Sequence, residues 1–427
     1  MGIELDLELP DVEVLRSFRD NKGNYVIELQ STKKSGICRK CGKKIRNFKG
    51  YGEWIMIRHL PILGREVYLK IRPRRYQCLE CDNEPTTTEE FSWRSPGKSY
   101  TRAYQDHVLR CLINSSVKDV CSKENLGEKH VEAMLSESCF GENPLDHISY
   151  IGTLGLDEIA LKKGHRDFVV IVTSRHEGRT QLLHVLPDRK KETVCEFLKL
   201  IPDALKTTIH DVATDMYEGY LNAAKETLGE SVEIVVDRFH VAQSYRNSAD
   251  SIRKQEQKRL KKELSEKDYK QLKGLLWAFR KNPGKLTETE KCILETAFGY
   301  SPDLKEAYQL RNDLTDIFDK AYTKQEAVAE FKKWEENVIE SGLNCYDSFI
   351  KTLNLFQSQI ANYFNNRSNS GFVEGFNNKI KVIKRRCYGI FNIKHLRQRI
   401  LLDTLGPTLL FTADSSSKCN FLAGSQE

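Results

Sequence analysis

The sequence predicts an α/β protein: a mixed sheet interrupted by an all-α insertion and preceded by a cysteine-bearing N-terminal region. Three observations predict it. Strand-like and helical segments alternate between residues 150 and 245, a highly charged helical stretch runs from 246 to 365, and two Cys-x-x-Cys pairs stand near the N-terminus. With 427 residues, 39% of them hydrophobic and 30% charged, the chain can bury several cores and is not of disordered composition.

The central segment carries the fold class. Tyr150–Asp157, Asp167–Thr173 and Gln181–Leu186 read as strands joined by short loops, which predicts an antiparallel meander. A helix at Lys191–Ile201, a strand at Thr207–Ala213, a helix at Glu218–Leu228 and a strand at Val232–Val236 follow, so the later strands arrive through helical crossovers. The order β-β-β-α-β-α-β is that of an RNase H-like sheet. In the insertion, Pro283-Gly284 and Ser301-Pro302 break the charged stretch into separate helices. Trp277 and Trp334 are expected to pack those helices, base stacking being the other reading for one of them.

Cys38-x-x-Cys41 and Cys78-x-x-Cys81 predict a structural zinc site in the N-terminal region, since two such turns supply the four thiolates that tetrahedral Zn2+ takes. No apolar run reaches the roughly 18 residues of a membrane span, so no membrane partner is expected. The first residues lack a basic segment followed by an apolar one, and Asp6 stands where a myristoylation signal wants Ser or Thr. The expected location is therefore cytoplasmic, a reducing setting in which paired cysteines bind metal rather than form disulfides. Between the pairs, Arg65–Cys78 alternates as one strand with basic residues on its exposed face.

Residues 100–145 turn helical. Tyr104–Ile113 is amphipathic, Ser115–Glu124 opens with a cap, Asn125-Leu126-Gly127 is a turn, and Glu128–Ser136 is a second short helix. This is the outline of a helix-turn-helix, and also of any small helical hairpin.

Charge points to a polyanionic partner. The net charge is +7, but Ser31–Arg110 holds 18 Lys and Arg against 8 Asp and Glu. Lys379–Arg399 holds eight Lys and Arg and no acid. Two separated basic blocks suit two contacts with the DNA backbone. Arg72, Arg74 and Arg75 are the candidates in the first, and Lys379, Lys381, Lys384, Arg385 and Arg386 in the second.

Cutting and joining DNA requires in-line displacement at phosphorus, which a few carboxylates holding divalent metal can promote. Asp157 ends the first core strand and Asp215 follows the fourth, which lies beside it in an RNase H-like sheet. Glu374, just before the second basic run, fits as a third acid from a later helix. Glu158, Asp211 and Asp237 are rivals at nearby positions, and each acid alone could as well be a turn or cap residue.

Long ordered blocks of the sequence resemble the bacterial insertion-sequence transposases of the ISL-three group, which carry a DDE triad. The front end from Cys38 to Cys81 with Arg72-Pro-Arg-Arg-Tyr-Gln-Cys78 is similar to that family's zinc region. Gly155-Leu-Asp-Glu158 with Lys163-Gly-His165, Ala213-Thr-Asp-Met216 with Tyr220, and Gly371–Lys381 with Lys384–Gly389 are similar to its three catalytic blocks. Asp237-Arg-Phe-His240 resembles an Asp-x-x-His signature of DDE transposases. Ser370 stands where Asn is expected, a small departure.

The resemblance implies Asp157, Asp215 and Glu374 as ligands of Mg2+ or Mn2+. His240 is either an assistant at the site or a structural histidine after a buried strand. The implied domains are zinc-binding (1–95), helix-turn-helix (96–148), first catalytic part (149–245), helical insertion (246–365), last catalytic part with basic helix (366–412) and loose tail (413–427). The implied function is to bind the inverted repeats of an element, cleave its ends and join the 3′-hydroxyls to target double-stranded DNA, as a homodimer or larger assembly, nucleoid-associated when bound. The alternatives are a domesticated non-catalytic DNA-binding protein and a metal-dependent nuclease without joining.

Overall fold

The computed structural model describes residues 7, 9–161, 167–229, 232–366 and 371–411; the side chains of 366, 371, 373 and 374 lie outside the description. The predicted tail, Lys163, His165 and Ser370 therefore fall outside the described residues. The chain divides into two compact units. Among the described residues, one holds those up to Gly141 together with 402–411, and the other holds Glu142–Leu401.

In the N-terminal unit, β1 (Val12–Arg19) and β2 (Tyr25–Ser31) form a hairpin, and β3 (Gly36–Ile37) pairs with β4 (Lys44–Ile45) at the first cysteine turn. β5 (Asn47–Tyr51) is followed by the hairpin β6 (Ile55–Ile62) and β7 (Arg65–Ile71), then by β8 (Arg74–Gln77) and β9 (Thr86–Thr88). The sheets run β1-β2-β7-β6 and β5-β8-β9. Arg65–Cys78 is thus two strands in two sheets, not the one strand the alternation predicts. The break falls at Arg72-Pro73, where proline offers no N–H to a ladder and restricts the residue before it. Alternate residues of β7 (Val67, Leu69, Ile71) are fully buried and pack with Ile27, Leu29, Ile57, Phe91 and Trp93.

Three helices follow: α1 (Arg102–Leu112), α2 (Val117–Glu124) and α3 (Glu128–Ser136). Ser116 and Asp119 form a reciprocal capping box at α2, which satisfies two otherwise orphaned N–H groups. Asn125 ends that helix in the left-handed region at φ 52°. The helix–turn–helix outline therefore stands as the sequence predicts.

The second unit is built on a five-stranded sheet ordered β12-β11-β10-β13-β14. Its strands are β10 (Gly152–Ala160), β11 (Phe168–His176), β12 (Arg179–Leu186), β13 (Ile209–Thr214) and β14 (Glu233–Val236). The first three are antiparallel, and β13 and β14 add parallel to β10. Between them run α4 (Lys191–Leu200), the short α5 (Asp203–Lys206) and α6 (Glu218–Leu228). The predicted mixed α/β core with a helical C-terminal region is what the structure holds. β13 is buried at Ile209 and from Asp211 through Thr214, with only His210 exposed, the burial expected of a strand covered on both faces.

α7 (Arg238–Glu263) opens the helical region and runs for 26 residues. Two short helices, Glu266–Lys270 and Leu275–Arg280, follow before the breaks the sequence shows. Ser301 caps Pro302–Asp319 with proline in its first turn, and Thr287 and Thr323 form capping boxes with Glu290 and Glu326. Trp334 packs this layer as expected: it is 2% exposed, its indole N–H donates to the Leu310 carbonyl at 2.8 Å, and Tyr346 and Phe349 meet its ring edge-on. Trp277 does not. It is 65% exposed, because on the six-residue helix Leu275–Arg280 the buried positions are Leu275, Ala278 and Phe279.

Trp334→Ala removes a fully packed indole and leaves the Leu310 carbonyl without its donor. The expected loss is about 3–5 kcal/mol, read as a lower urea midpoint of the transition reported by far-ultraviolet circular dichroism. Trp277→Ala should move that midpoint little.

Candidate active site and metal centre

The first cysteine turn is held by backbone bonds from Cys38 N–H to the Lys43 carbonyl (2.8 Å) and from Gly42 N–H to the Cys38 carbonyl (2.9 Å). Gly42 sits at φ 72°, a conformation that glycine adopts without strain. Cys78 follows β8, and the four sulfurs converge. Cys38 Sγ lies 3.9 Å from Cys81 Sγ, Cys41 Sγ lies 3.9 Å from Cys78 Sγ, and all four lie within 4.8 Å of one another. A tetrahedron with 2.3 Å Zn–S bonds has sulfurs about 3.8 Å apart, so the tetrad fits structural Zn2+. The N–H groups of Cys41 and Lys40 pull the Cys38 thiol down to about 6, while hydrogen bonding with the Cys41 thiol and burial push Cys81 up to about 12. Four thiols this close can all ionise only with a cation among them.

The second centre lies at the ends of the parallel strands. β10 and β13 pair Leu156 with Thr214, and β13 and β14 pair Thr214 with Val236. One residue further along each strand stand Asp157, Asp215 and Asp237, which share one narrow cleft with His240. Asp157 does not end its strand, as the sequence reading has it. β10 continues to Ala160 against β11, and only the pairing with β13 stops.

The two predicted aspartates are held differently. Asp157 accepts from the Glu158 N–H at 2.7 Å and from the Asn377 side-chain amide at 2.6 Å. Burial still raises its proton affinity above the ordinary aspartate range. Asp215 is pushed up to about 6, first by burial and then by the charges of Asp157 and Glu158 against the opposing pull of His240. Among the described residues, its Oδ1 and the Asn377 Oδ1 are buried with no hydrogen-bond partner. Orphaned oxygens beside two aspartates are the donor set a hard divalent cation takes.

The rivals have other tasks. Asp211 lies four residues upstream on β13, opposite Thr153 and outside the cleft lining. Glu158 points to Arg189, with both oxygens 3.3 Å from its Nη1. Asp237 lines the cleft but caps α7, accepting from the Phe239 N–H at 2.7 Å. One turn on, His240 places Nε2 3.9 Å from Asp237 Oδ2. The histidine therefore stands at the cleft, not merely after a buried strand.

Glu374 lies in the helix Gly371–Arg386, and its side chain is outside the described residues. Phe376, Asn377, Ile380 and Ile383 form the buried face of that helix. Asn377, which the sequence reading did not single out, stands three positions after Glu374; this spacing, one helical turn, is the signal that could have found it. Of the predicted cations, Lys379, Lys381 and Arg385 are exposed. Lys384 instead donates to the Ala160 carbonyl at 2.5 Å and ties the helix to β10. In the N-terminal unit Arg72 and Arg75 are exposed, while Arg74 is half-buried and donates to the Lys33 carbonyl at 2.9 Å.

A sheet of this order with aspartates abreast on its parallel strands, in a chain that also bears a four-cysteine module, fits the class of DDE transposases with a zinc ribbon. Residues 154–400 match the model of the ISL3 DDE group, described as a transposase, and residues 34–81 match that of the zinc-finger of transposase IS204/IS1001/IS1096/IS1165. The chain belongs to the ISL3 family of DDE transposases. It is 28% identical over 368 residues to the transposase for insertion sequence element IS1001 of Bordetella parapertussis, covering 85% of this chain and 87% of that one. It is 23% identical over 435 residues to the transposase for insertion sequence element IS1557 of Mycobacterium tuberculosis, covering 96% and 95%. A protein of Lactococcus lactis named an ATP-dependent protease is 31% identical over 134 residues, only 31% of this chain and 40% of that one, and so partial a match fixes no activity.

The purified chain should carry about one zinc ion. Cys78→Ser should abolish that zinc in atomic emission and lower the melting of the N-terminal unit, whereas loss of zinc with an unchanged melting profile would contradict a structural role. A second prediction follows from Asp215. Its folded pKa of about 6 exceeds the unfolded value of about 3.9, so its burial costs nothing at low pH and destabilises the fold as pH rises through 6. Without divalent ions, Asp215→Asn should therefore be more stable than the parent at pH 7.5, by on the order of 2–3 kcal/mol. That advantage should vanish below about pH 4 in thermal unfolding.

Proposed function

We propose that this transposase binds the inverted-repeat ends of its insertion sequence, hydrolyses a phosphodiester at each end and joins the freed 3′-hydroxyls to target DNA. The observation that carries the reading is the pair Asp157 and Asp215, abreast at the ends of adjacent parallel strands, with Asp215 Oδ1 buried and unpartnered among the described residues. Magnesium or manganese, when bound there, supplies activation of the attacking oxygen and stabilisation of the leaving one.

The chain's own groups do the remaining work. Asp157, Asp215 and Glu374 hold the site's negative charge, and Asn377 fixes the orientation of Asp157. His240, steadied from Asp237, is placed to hold or pass a proton at the cleft. Lys379, Lys381 and Arg385 offer charge to phosphates beside the cut, with Arg386 in the same turn. Arg72 and Arg75 offer it on the zinc-bearing unit. On this reading residues 1–95 and 96–148 recognise the element end, 149–245 and 366–412 cut and join, and 246–365 form the insertion between the second and third acids. Two ends must be joined together, so the active form is a homodimer or larger assembly on DNA.

Asp157→Asn, Asp215→Asn and Glu374→Gln should each lower cleavage and joining of a labelled element end at least about 1000-fold, since each removes charge from one shared centre, and should leave end binding intact in a gel-shift assay. Cleavage with joining by the parent chain supports the proposal. Cleavage alone would make the chain a nuclease, and binding alone a non-catalytic DNA-binding protein.

A further inference from the structure

A cavity of ≈ 320 Å³ lies in the second unit, lined among others by Phe239, Arg246, Asp250, Phe279, Arg280 and Arg311. Its charges do not balance. Burial alone would raise Asp250, but hydrogen bonds from Arg253 (2.6 Å) and Arg280 (2.9 Å) hold it down to about 2, so its charge is already matched. Arg311 is 2% exposed and donates to the backbone carbonyls of Phe279 and Lys281 and to the Asn312 side chain, none of which carries a full negative charge. Among the described residues its Nε is buried with no hydrogen-bond partner. Arg246 is exposed, lies 5.9 Å from the Tyr245 ring and adds its positive charge to the field at Arg311. Phe239, 43% exposed, gives the mouth an aromatic wall. A guanidinium buried without an anion among the described residues, a second, exposed one and a half-exposed aromatic ring together suit a phosphate joined to a flat base.

The position of the cavity narrows the ligand. α7 starts at Asp237 in the acidic cleft, and Phe239, His240 and Arg246 lie along this one helix. Nine residues of helix separate Asp237 from Arg246, about 13 Å, or about four nucleotides at the duplex rise per strand. We propose that the cavity receives one nucleotide of the DNA strand leading from the cleft, its phosphate held by Arg246 in the field of Arg311 and its base against Phe239. The identity of that strand rests on the cleft being the cutting site; binding to the cavity does not.

The test uses the full zinc-loaded chain without divalent metal and a dye-labelled, 5′-phosphorylated dithymidine, read by fluorescence polarisation. Arg246→Ala and Phe239→Ala should each weaken the probe about tenfold, and Arg246→Lys should recover part of the loss. Arg259→Ala, on the same helix but paired with Glu256 and Glu263, should change nothing. Inorganic phosphate should compete at least about tenfold less well than the dinucleotide. Equal binding by all these proteins would overturn the proposal, as would equal competition by inorganic phosphate, which would leave an anion site with no place for a base. Unchanged circular dichroism of the variants guards against misfolding. Because no cutting is measured, this proposal can fail while the transposition reading stands, and the reverse also holds.

Discussion

The register between β10 and β13 is the constraint on which the catalytic unit turns. A parallel ladder fixes two backbones at the strand spacing, so residues abreast at its end cannot drift apart to relieve repulsion. Asp157 and Asp215 are therefore held together although burial and mutual charge raise the proton affinity of Asp215 to about 6. Side chains on a loop would swing apart. Side chains at the ends of adjacent central strands stay together, and among the described residues Asp215 Oδ1 and Asn377 Oδ1 are buried there without a hydrogen-bond partner.

The surrounding elements relieve that tension only in part. The Glu158 N–H and the Asn377 amide neutralise one side of Asp157. Asp237, the third aspartate in line, is turned to capping: it meets the Phe239 N–H and favours the positive end of α7. Its burial is thereby satisfied by the backbone, which sets it apart from Asp215. The same cap orients the first turn of α7, so that His240 faces the acids while Phe239 and Arg246 continue along the helix. One 26-residue helix thus joins the acidic cleft at its start to the packing of the helical region.

Much of this was legible in the sequence, and what was not has physical causes. Strand order followed from hydrophobic period, and helix order from the cap opening Ser115–Glu124 and the break at Ser301-Pro302, because these signals are local. The zinc tetrad followed from spacing. The single strand expected over Arg65–Cys78 failed because alternation continues across Pro73 while hydrogen bonding cannot. Trp277 was taken for a packing residue because bulk signals burial only when the helix face is known, and a six-residue helix is too short to display one. Lys384 looked like its neighbours in the basic run, but an ion's partner is set by tertiary contact, here the Ala160 carbonyl. Asn377 was missed because a polar residue in an amphipathic helix looks solvent-facing until its buried partner is known.

Asn377 also bears on how three distant acids can meet. Its amide grips Asp157 at 2.6 Å, and Lys384, two turns on, grips the end of the same strand. Two attachments along one helix fix both its distance from β10 and its rotation about its own axis. Position 374 is three residues before Asn377, about 4.5 Å along the axis. On the proposed reading, Glu374 therefore serves the cleft with no travel of the helix. Removing either attachment would free the helix to turn while leaving every carboxylate in the chain.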